Sequence, residues 1–381
     1  MKLIKNVDIV LPEKIIKEGL IEFDEKIQKI YKIDDFDINQ FDKRNYEIID
    51  GKRGYLAPGF IDIHIHGTHG KDTMDATYDA VDTISKNIIR SGVSHFLPTT
   101  MTMAVQNIHK ALKNIQLLKD KELTGAQILG VNVEGPFLNK KKKGAQPEKH
   151  ISDPDLDLLK DYRDIIKLVT LAPEKPGAEE FIKLMKKWGI VTSVGHSAAT
   201  YNNIKKAYSW GLSHVTHLFN GMVGLHHRKP GIIGAALTTD MTVEIIADLI
   251  HLSPVILNLV TKYKSEDEII LITDSMRAAG LDEGEYSLGG QKVIVKDGEA
   301  RLPSGSLAGS TLTLNRAVRN MFNNSDLSLS SVIKMVTLNP AKLLGIDNCK
   351  GIIQSGYDAD LTLLDKNFEV KKVYIKGNKK F

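Results

Sequence analysis

The sequence predicts an α/β chain in which a (β/α)8 TIM barrel is flanked by a small β-sandwich domain formed by both chain termini. Eight apolar β-type runs alternate with stretches of helical length through the middle of the chain, and both ends are β-rich without helical spacing. A further observation bears on function: histidines and acids sit at the ends of several of those runs.

Residues 1 to about 56 read as short strands in KLIKNVDIV, GLIEF, KIQKIYKI and YEIID, and the segment from 350 reads the same way in GIIQSGYDADLTLLD and VKKVYIKG. Neither end can build a core alone, so 1–56 and 350–381 are expected to pair into one small β-sandwich, leaving 57–349 for the barrel. The eight runs are FIDIHIH (60–66), VSHFLPT (93–99), QILGVNVE (127–134), IIKLVTLA (165–172), GIVTSVGH (189–196), SHVTHLF (213–219), VEIIAD (243–248) and EIILITD (268–274). Stretches such as AVDTISKNIIRSG and NIHKALKNIQLLKDKE have the spacing of amphipathic helices. Strand and helix in alternation imply a parallel sheet, and this repeat count suits a closed barrel, with a doubly wound open sheet as the alternative. After the eighth run, EYSLGGQKVIVKDGEARLPSG reads as a hairpin excursion turning at KDGE.

The 381 residues are 42% hydrophobic and 26% charged, the balance of a globular protein. A net charge of +4, with lysines scattered among acids, argues against nucleic acid as the main partner. The densest basic run, Lys140 to Lys143, reads as a solvated loop. The single cysteine, Cys349, excludes an intramolecular disulfide and suits a reducing compartment. The opening MKLIKNVDIVLPEK is broken by charges and a proline before a signal-type apolar core can form, and no apolar run approaches the roughly 20 residues of a membrane span. A cytoplasmic protein without membrane partners is therefore expected.

In the first run a period of two puts Asp62, His64 and His66 on one face and Ile61, Ile63 and Ile65 on the other. Two imidazoles two residues apart on a strand can both reach one divalent ion. Glu134 closes the third run, His196 the fifth and Asp274 the eighth, and His217 lies near the end of the sixth. In a barrel all these ends converge on one face, so His64, His66, Glu134, His196, His217 and Asp274 are expected to meet around a divalent cation. His214, an odd number of positions from His217, should point the other way and serve structure. His69, His95, His109 and His150 have no comparable partners and read as surface or packing residues. Asp274 is placed either to ligate an ion or to shuttle a proton, and the residues alone leave both open.

With those residues in view, the chain resembles the amidohydrolase superfamily, and within it the N-acetylglucosamine-6-phosphate deacetylase family. The resemblance runs through PGFIDIHIHG, VEGPFLNKKKKGA, SVGHSA, THLFNGM, RKPG, IIADLIH, LITDSM and SLAGSTLT. It implies hydrolysis of the N-acetyl amide of a small-molecule amino-sugar phosphate, in a homodimer, with Glu134, His196 and His217 as main metal ligands. His64 and His66 match the positions of a second ion, so one or two ions per subunit are implied, Zn2+ first, with Fe2+, Mn2+ or Co2+ as alternatives. Asp274 matches the catalytic acid/base. Asn220, Gly221, Arg228 and His251 match the sugar-phosphate contacts, Arg228 across the dimer interface. Ala145 and the Leu307, Ala308 and Gly309 loop match positions lining the substrate. Gln146 stands where some members carry a histidine that contacts the substrate carbonyl; its amide can donate a hydrogen bond but cannot carry a proton charge. N-acetylgalactosamine-6-phosphate deacetylation, or another amidohydrolase activity, is the alternative reading. A non-catalytic scaffold would be expected to have lost ligands, which this chain retains.

Overall fold

The computed structural model describes residues 1–32 and 46–381. The N-terminal part supplies β1 (Lys2–Val10), β2 (Ile15–Phe23), β3 (Ile27–Tyr31) and β4 (Glu47–Pro58). Ile33, the last residue of the run KIQKIYKI, lies outside the described residues. Next come β5 (Phe60–Ile65), a two-stranded turn of β6 (Gly67–Thr68) and β7 (Lys71–Asp72), then α1 (Tyr78–Ile88), β8 (Val93–Pro98) and α2 (Val105–Leu118). They are followed by β9 (Gln127–Ile128), β10 (Val131–Glu134), β11 (Ile166–Leu171), α3 (Ala178–Lys187), β12 (Val191–Val194), α4 (Tyr201–Trp210) and β13 (His214–Val215). The chain continues with α5 (Gly231–Thr238), β14 (Thr242–Ile246), α6 (Pro254–Tyr263) and β15 (Ile269–Ile272). A meander of β16 (Gly284–Leu288), β17 (Gln291–Lys296) and β18 (Glu299–Arg301) precedes α7 (Leu314–Asn323), α8 (Leu329–Lys334) and α9 (Leu338–Leu343), and β19 (Leu361–Leu364), β20 (Val370–Ile375) and β21 (Asn378–Lys379) end the chain.

Each of the eight expected runs forms a strand. The third is interrupted at Gly130, whose φ of 153° breaks it into β9 and β10. β5, β8 and β9 make one parallel sheet, and β10 to β15 make a second in strict chain order. Single parallel bridges at Thr99–Asn132 and Ile65–Ser275 join the two, so the first run touches the last. Consecutive order excludes the doubly wound alternative, in which the strand order reverses. These strands are almost wholly buried, and β5 and β15 entirely so, because helices cover the outer face and side chains fill the inner one. The helices show why the intervening stretches fold: Thr77 caps α1, which buries Val81, Ile84 and Ile88 on one face, and α3 buries Phe181, Ile182 and Met185.

Both termini enter one seven-stranded sheet ordered β21-β20-β19-β4-β1-β2-β3, with β19 antiparallel to β4 from Leu361–Pro58 onward. Ile4, Val7, Ile21, Phe23, Leu361 and Tyr374 form a separate apolar core for it. The expected hairpin after the eighth run is present, turning at Asp297 and Gly298, both left-handed. A second turn at Gly289 and Gly290 adds a third strand to it. Among the described residues, no helix is long and apolar enough to cross a membrane.

Candidate active site

β5 carries His64 near its C-terminal end and delivers His66 just past it, both buried, while Ile61, Ile63 and Ile65 pack into the main core. Asp62, on the same face but lower in the strand, stays out of the cluster; its carboxylate accepts from Thr273 Oγ1 at 2.6 Å. Burial pushes Asp62 up to about 6, against the hydrogen bonds from Thr273 and His64 that favour its charge. Glu134 is the last residue of β10. His196, His217 and Asp274 lie just beyond the regular strands, and each has a left-handed backbone, at φ 46°, 29° and 48°. Such a turn is rare for residues with a side chain and persists where the surroundings over-determine it. Here it swings three polar side chains off the strand direction, just past the C-terminal ends of β12, β13 and β15.

Two groups of donors result: Glu134, His196 and His217 in one, and His64, His66 and Asp274 in the other, each with its ligand atoms within 4.8 Å of one another. The hydrogen bonds show why a cation fits. His196 Nδ1 donates to the carbonyl of Lys142 at 2.9 Å, so its Nε2 is a bare acceptor. That atom faces Glu134 Oε1 at 3.1 Å and His217 Nε2 at 3.2 Å, and Glu134 Oε1 is also 3.1 Å from His217 Nε2. Glu134 Oε1 and His196 Nε2 bring lone pairs to one point, and with the proton on its otherwise unpartnered Nδ1 His217 brings a third, a set that a cation between them would satisfy. The second group repeats the pattern: His64 Nδ1 is tied to Glu244 Oε2 at 2.9 Å, while its buried Nε2 has no hydrogen-bond partner and faces Asp274 Oδ1 at 3.6 Å. Asp274 Oδ1 is 3.3 Å from His66 Nε2.

Burial alone would raise Glu134, but the imidazoles of His196, His217 and His66 gathered around it hold it well below the ordinary carboxylate range. Asp274 is likewise raised by burial and brought below its usual value by His64, His66 and His217. Burial lowers His64, yet Glu244, Asp274 and Glu134 lift it to about 9, the same negative field that would favour a metal cation at its Nε2 in place of a proton. The site is thus a compact assembly of charged carboxylates and imidazoles at the floor of a cavity of about 380 Å³.

The Amidohydrolase family model matches residues 55–380, which takes in every one of these donors. The chain belongs to the amidohydrolase family. It is 40% identical to the N-acetylglucosamine-6-phosphate deacetylase of Bacillus subtilis (strain 168), covering 99% of this chain and 96% of that one. The crystal structure of N-acetylglucosamine-6-phosphate deacetylase from Thermotoga maritima superposes with a TM-score of 0.89 at 37% identity, covering 100% and 99% of the two chains. A mutant of the Mycobacterium smegmatis deacetylase, in complex with N-acetyl-D-glucosamine-6-phosphate, superposes at a TM-score of 0.91 and 27% identity, covering 100% and 99%.

The cavity of this amidohydrolase is lined by Ala145, Gln146, Asn220, Gly221, His251, Leu307 and Gly309 as well as by the donors other than His64. Ala308 turns away into the small core beneath the meander. Arg228 is not on this chain's cavity; it is exposed, with Nη1 2.6 Å from His227 Nε2. Gln146 spends its amide differently from the sequence expectation: Nε2 donates to Glu134 Oε2 at 2.6 Å, and Oε1 accepts from the backbone N–H of Thr102 at 2.8 Å. His214 is buried and bonded to Glu244 Oε1 at 3.2 Å, away from both donor groups.

Three participants escaped the sequence reading. Glu244 is an acid in the middle of β14, flanked by Val243 and Ile245, and that position was the available signal. Asp248 holds His251 Nδ1 at 2.7 Å, three residues away in the same segment. Arg301, from β18, lines the cavity and donates through Nη1 to the carbonyl of Gly305 at 2.7 Å; no local pattern marks it. Gly221 shows how tightly the amidohydrolase site is built, since at its φ of 63° a Cβ would come within 2.9 Å of His196 Nδ1. Gly221→Ala is expected to displace the His196 ring and weaken Zn2+ binding by about 10–100-fold, measured by competition with a chromogenic chelator. Unaltered Zn2+ affinity would show that the ring has room to move.

Proposed function

We propose that this amidohydrolase hydrolyses the N-acetyl amide of N-acetylglucosamine-6-phosphate to glucosamine-6-phosphate and acetate. The observation that carries the reading is the intact double set of donors, Glu134, His196, His217 and His64, His66, Asp274, in a chain related to a deacetylase of that substrate over 99% of its length. Glu134, His196 and His217 would hold the principal ion, and His64 and His66 a second. Zn2+ is the first candidate, with Fe2+, Mn2+ or Co2+ behind it, and elemental analysis of the purified protein decides identity and number. A divalent ion held there supplies acidity to water and polarises the amide carbonyl.

The rest falls to the side chains. Asp274, ionised at the cavity floor, accepts a proton from the attacking water and passes it to the amide nitrogen as the C–N bond breaks, so that amine and acetate leave. Lys142, through its carbonyl, and Gln146, through its amide, keep His196 and Glu134 oriented. His251 and the Asn220–Gly221 backbone, which line the same cavity, are assigned to the sugar phosphate, and Leu307 and Gly309 to the wall beside the sugar. Arg228, exposed on its loop, is assigned to the phosphate of a second copy's substrate in a homodimer. Sedimentation of the active enzyme as a monomer would remove that reach.

We read the ring of strands as a closed (β/α)8 barrel spanning 57–349. In the same reading, 1–56 with 350–381 form the flanking domain, its one sheet curling into a small sandwich. An experimental structure in which the first and last strands part would overturn the closed ring.

The test is acetate release from N-acetylglucosamine-6-phosphate, its galactosamine epimer and unphosphorylated N-acetylglucosamine. The phosphorylated glucosamine substrate is expected to give the highest kcat/KM. Arg228→Ala should raise KM for the phosphorylated sugar far more than for the unphosphorylated one. No acetate from any of the three substrates overturns the function; equal KM changes overturn the Arg228 assignment alone.

A further inference from the structure

Glu244 sits at the centre of β14 between Val243 and Ile245, and none of the three is exposed. Burying a carboxylate is costly, and an apolar residue of similar volume is often as good or better for stability, so its presence calls for another reason. Its surroundings supply one. Oε2 accepts from His64 Nδ1 at 2.9 Å and from the backbone N–H of His217 at 3.0 Å, and Oε1 accepts from His214 Nε2 at 3.2 Å. His214 is held in turn by Thr242 Oγ1, 2.6 Å from its Nδ1.

We propose that Glu244 is a positioning residue for both donor groups: it fixes the His64 tautomer with Nε2 bare and aimed at the ion, and it pins the left-handed backbone from which His217 projects. The proposal rests on the metal reading of the site given above. The logic is one of acceptors and donors. A carboxylate beside Nδ1 has no hydrogen to give, so Nδ1 must carry one and Nε2 is left as the ligand atom. His64 belongs to one group and His217 to the other, so a single buried side chain sets a donor in each. His214, read from the sequence as structural, acquires a purpose: it closes the remaining oxygen of Glu244 and stops that carboxylate from rotating.

Glu244→Gln keeps the volume but replaces a charged pair of acceptors with one neutral oxygen and an N–H2, so the hold on the Nδ1 proton of His64 weakens and His214 loses its acceptor in its present tautomer. The measurement is Zn2+ affinity of chelator-stripped, full-length protein, with the visible spectrum of the Co2+-loaded form as a second readout. E244Q is expected to bind Zn2+ about 10–100-fold more weakly than wild type and to shift the Co2+ absorption bands. A merely structural carboxylate would lower Tm while leaving Zn2+ affinity and the Co2+ spectrum as in wild type, and that result overturns the proposal. Should E244Q fail to fold, His214→Asn is read the same way: it leaves Glu244 in place but frees one oxygen, and a weaker Zn2+ affinity supports the proposal while an unaltered one overturns it. Wild-type protein that takes up no Zn2+ fails the metal reading itself. Wild-type protein that binds Zn2+ but releases no acetate fails only the assigned reaction.

Discussion

Asp274→Asn is expected to lower kcat by about 10²–10⁴-fold, the range lost when a positioned acid/base is removed, while the protein still folds and retains the ion held by Glu134, His196 and His217. The geometry makes the separation possible. Asparagine matches aspartate in size, so the left-handed turn at φ 48° and the backbone hydrogen bonds to His64 and Ser310 can survive. What asparagine cannot do is accept a proton. Asp274 lies 3.3 Å from His66 Nε2 and 3.6 Å from His64 Nε2, outside the group of Glu134, and its charge is maintained by those imidazoles against the penalty of burial. Steady-state rates with metal analysis on the same sample check it. A variant that keeps most of its rate would strip Asp274 of the proton shuttle. A variant that loses every ion together with its rate would make it a ligand first.

The parts of this site that could be read from the sequence are those that follow a regular period. His64 and His66 share a face because strands alternate, and Glu134 ends a run that remains a strand to its last residue. The segment SHVTHLF shows the limit. Only His214 and Val215 are extended, because His217 and Phe219 adopt positive φ and bend the chain away. Period alone put His217 in the right neighbourhood through its place at a strand end, not through the direction of its side chain. The same holds for His196 and Asp274. Glu244 was harder still: its meaning lies in a hydrogen bond to His64, 180 residues away, and no local pattern encodes that. The fold order was legible since each run forms its strand, but Gly130 splitting one run and the extra turn at Gly289–Gly290 depend on backbone angles that apolar patterning does not report. Arg228 illustrates another limit: the resemblance assigns it across a dimer interface, and within its own chain it is simply exposed on a loop.

Removing the ion and removing Glu134 should cost about the same, and only the first should be reversible. Glu134 is where the two donor groups meet: Oε1 is 3.1 Å from both His196 Nε2 and His217 Nε2, and Oε2 is 3.4 Å from His66 Nε2. Wild-type enzyme stripped with a chelator is expected to lose at least about 10²-fold in acetate release, since neither an acidified water nor a polarised carbonyl remains, and to recover on addition of Zn2+. Glu134→Gln should show a loss of the same order without added chelator and stay inactive when stoichiometric Zn2+ is supplied. The amide is uncharged, and it turns an N–H2 toward nitrogens that need a cation, so the fault lies in the donor set and not in the supply of metal. With the amide turned the other way its nitrogen would instead meet Gln146 Nε2, which donates to Glu134 Oε2, so neither orientation suits the site. Circular dichroism on the variant separates a broken site from a broken fold. Stripped wild-type enzyme working at full rate would dismiss the ion from the chemistry, and a Glu134→Gln protein restored by Zn2+ would dismiss Glu134 from its coordination.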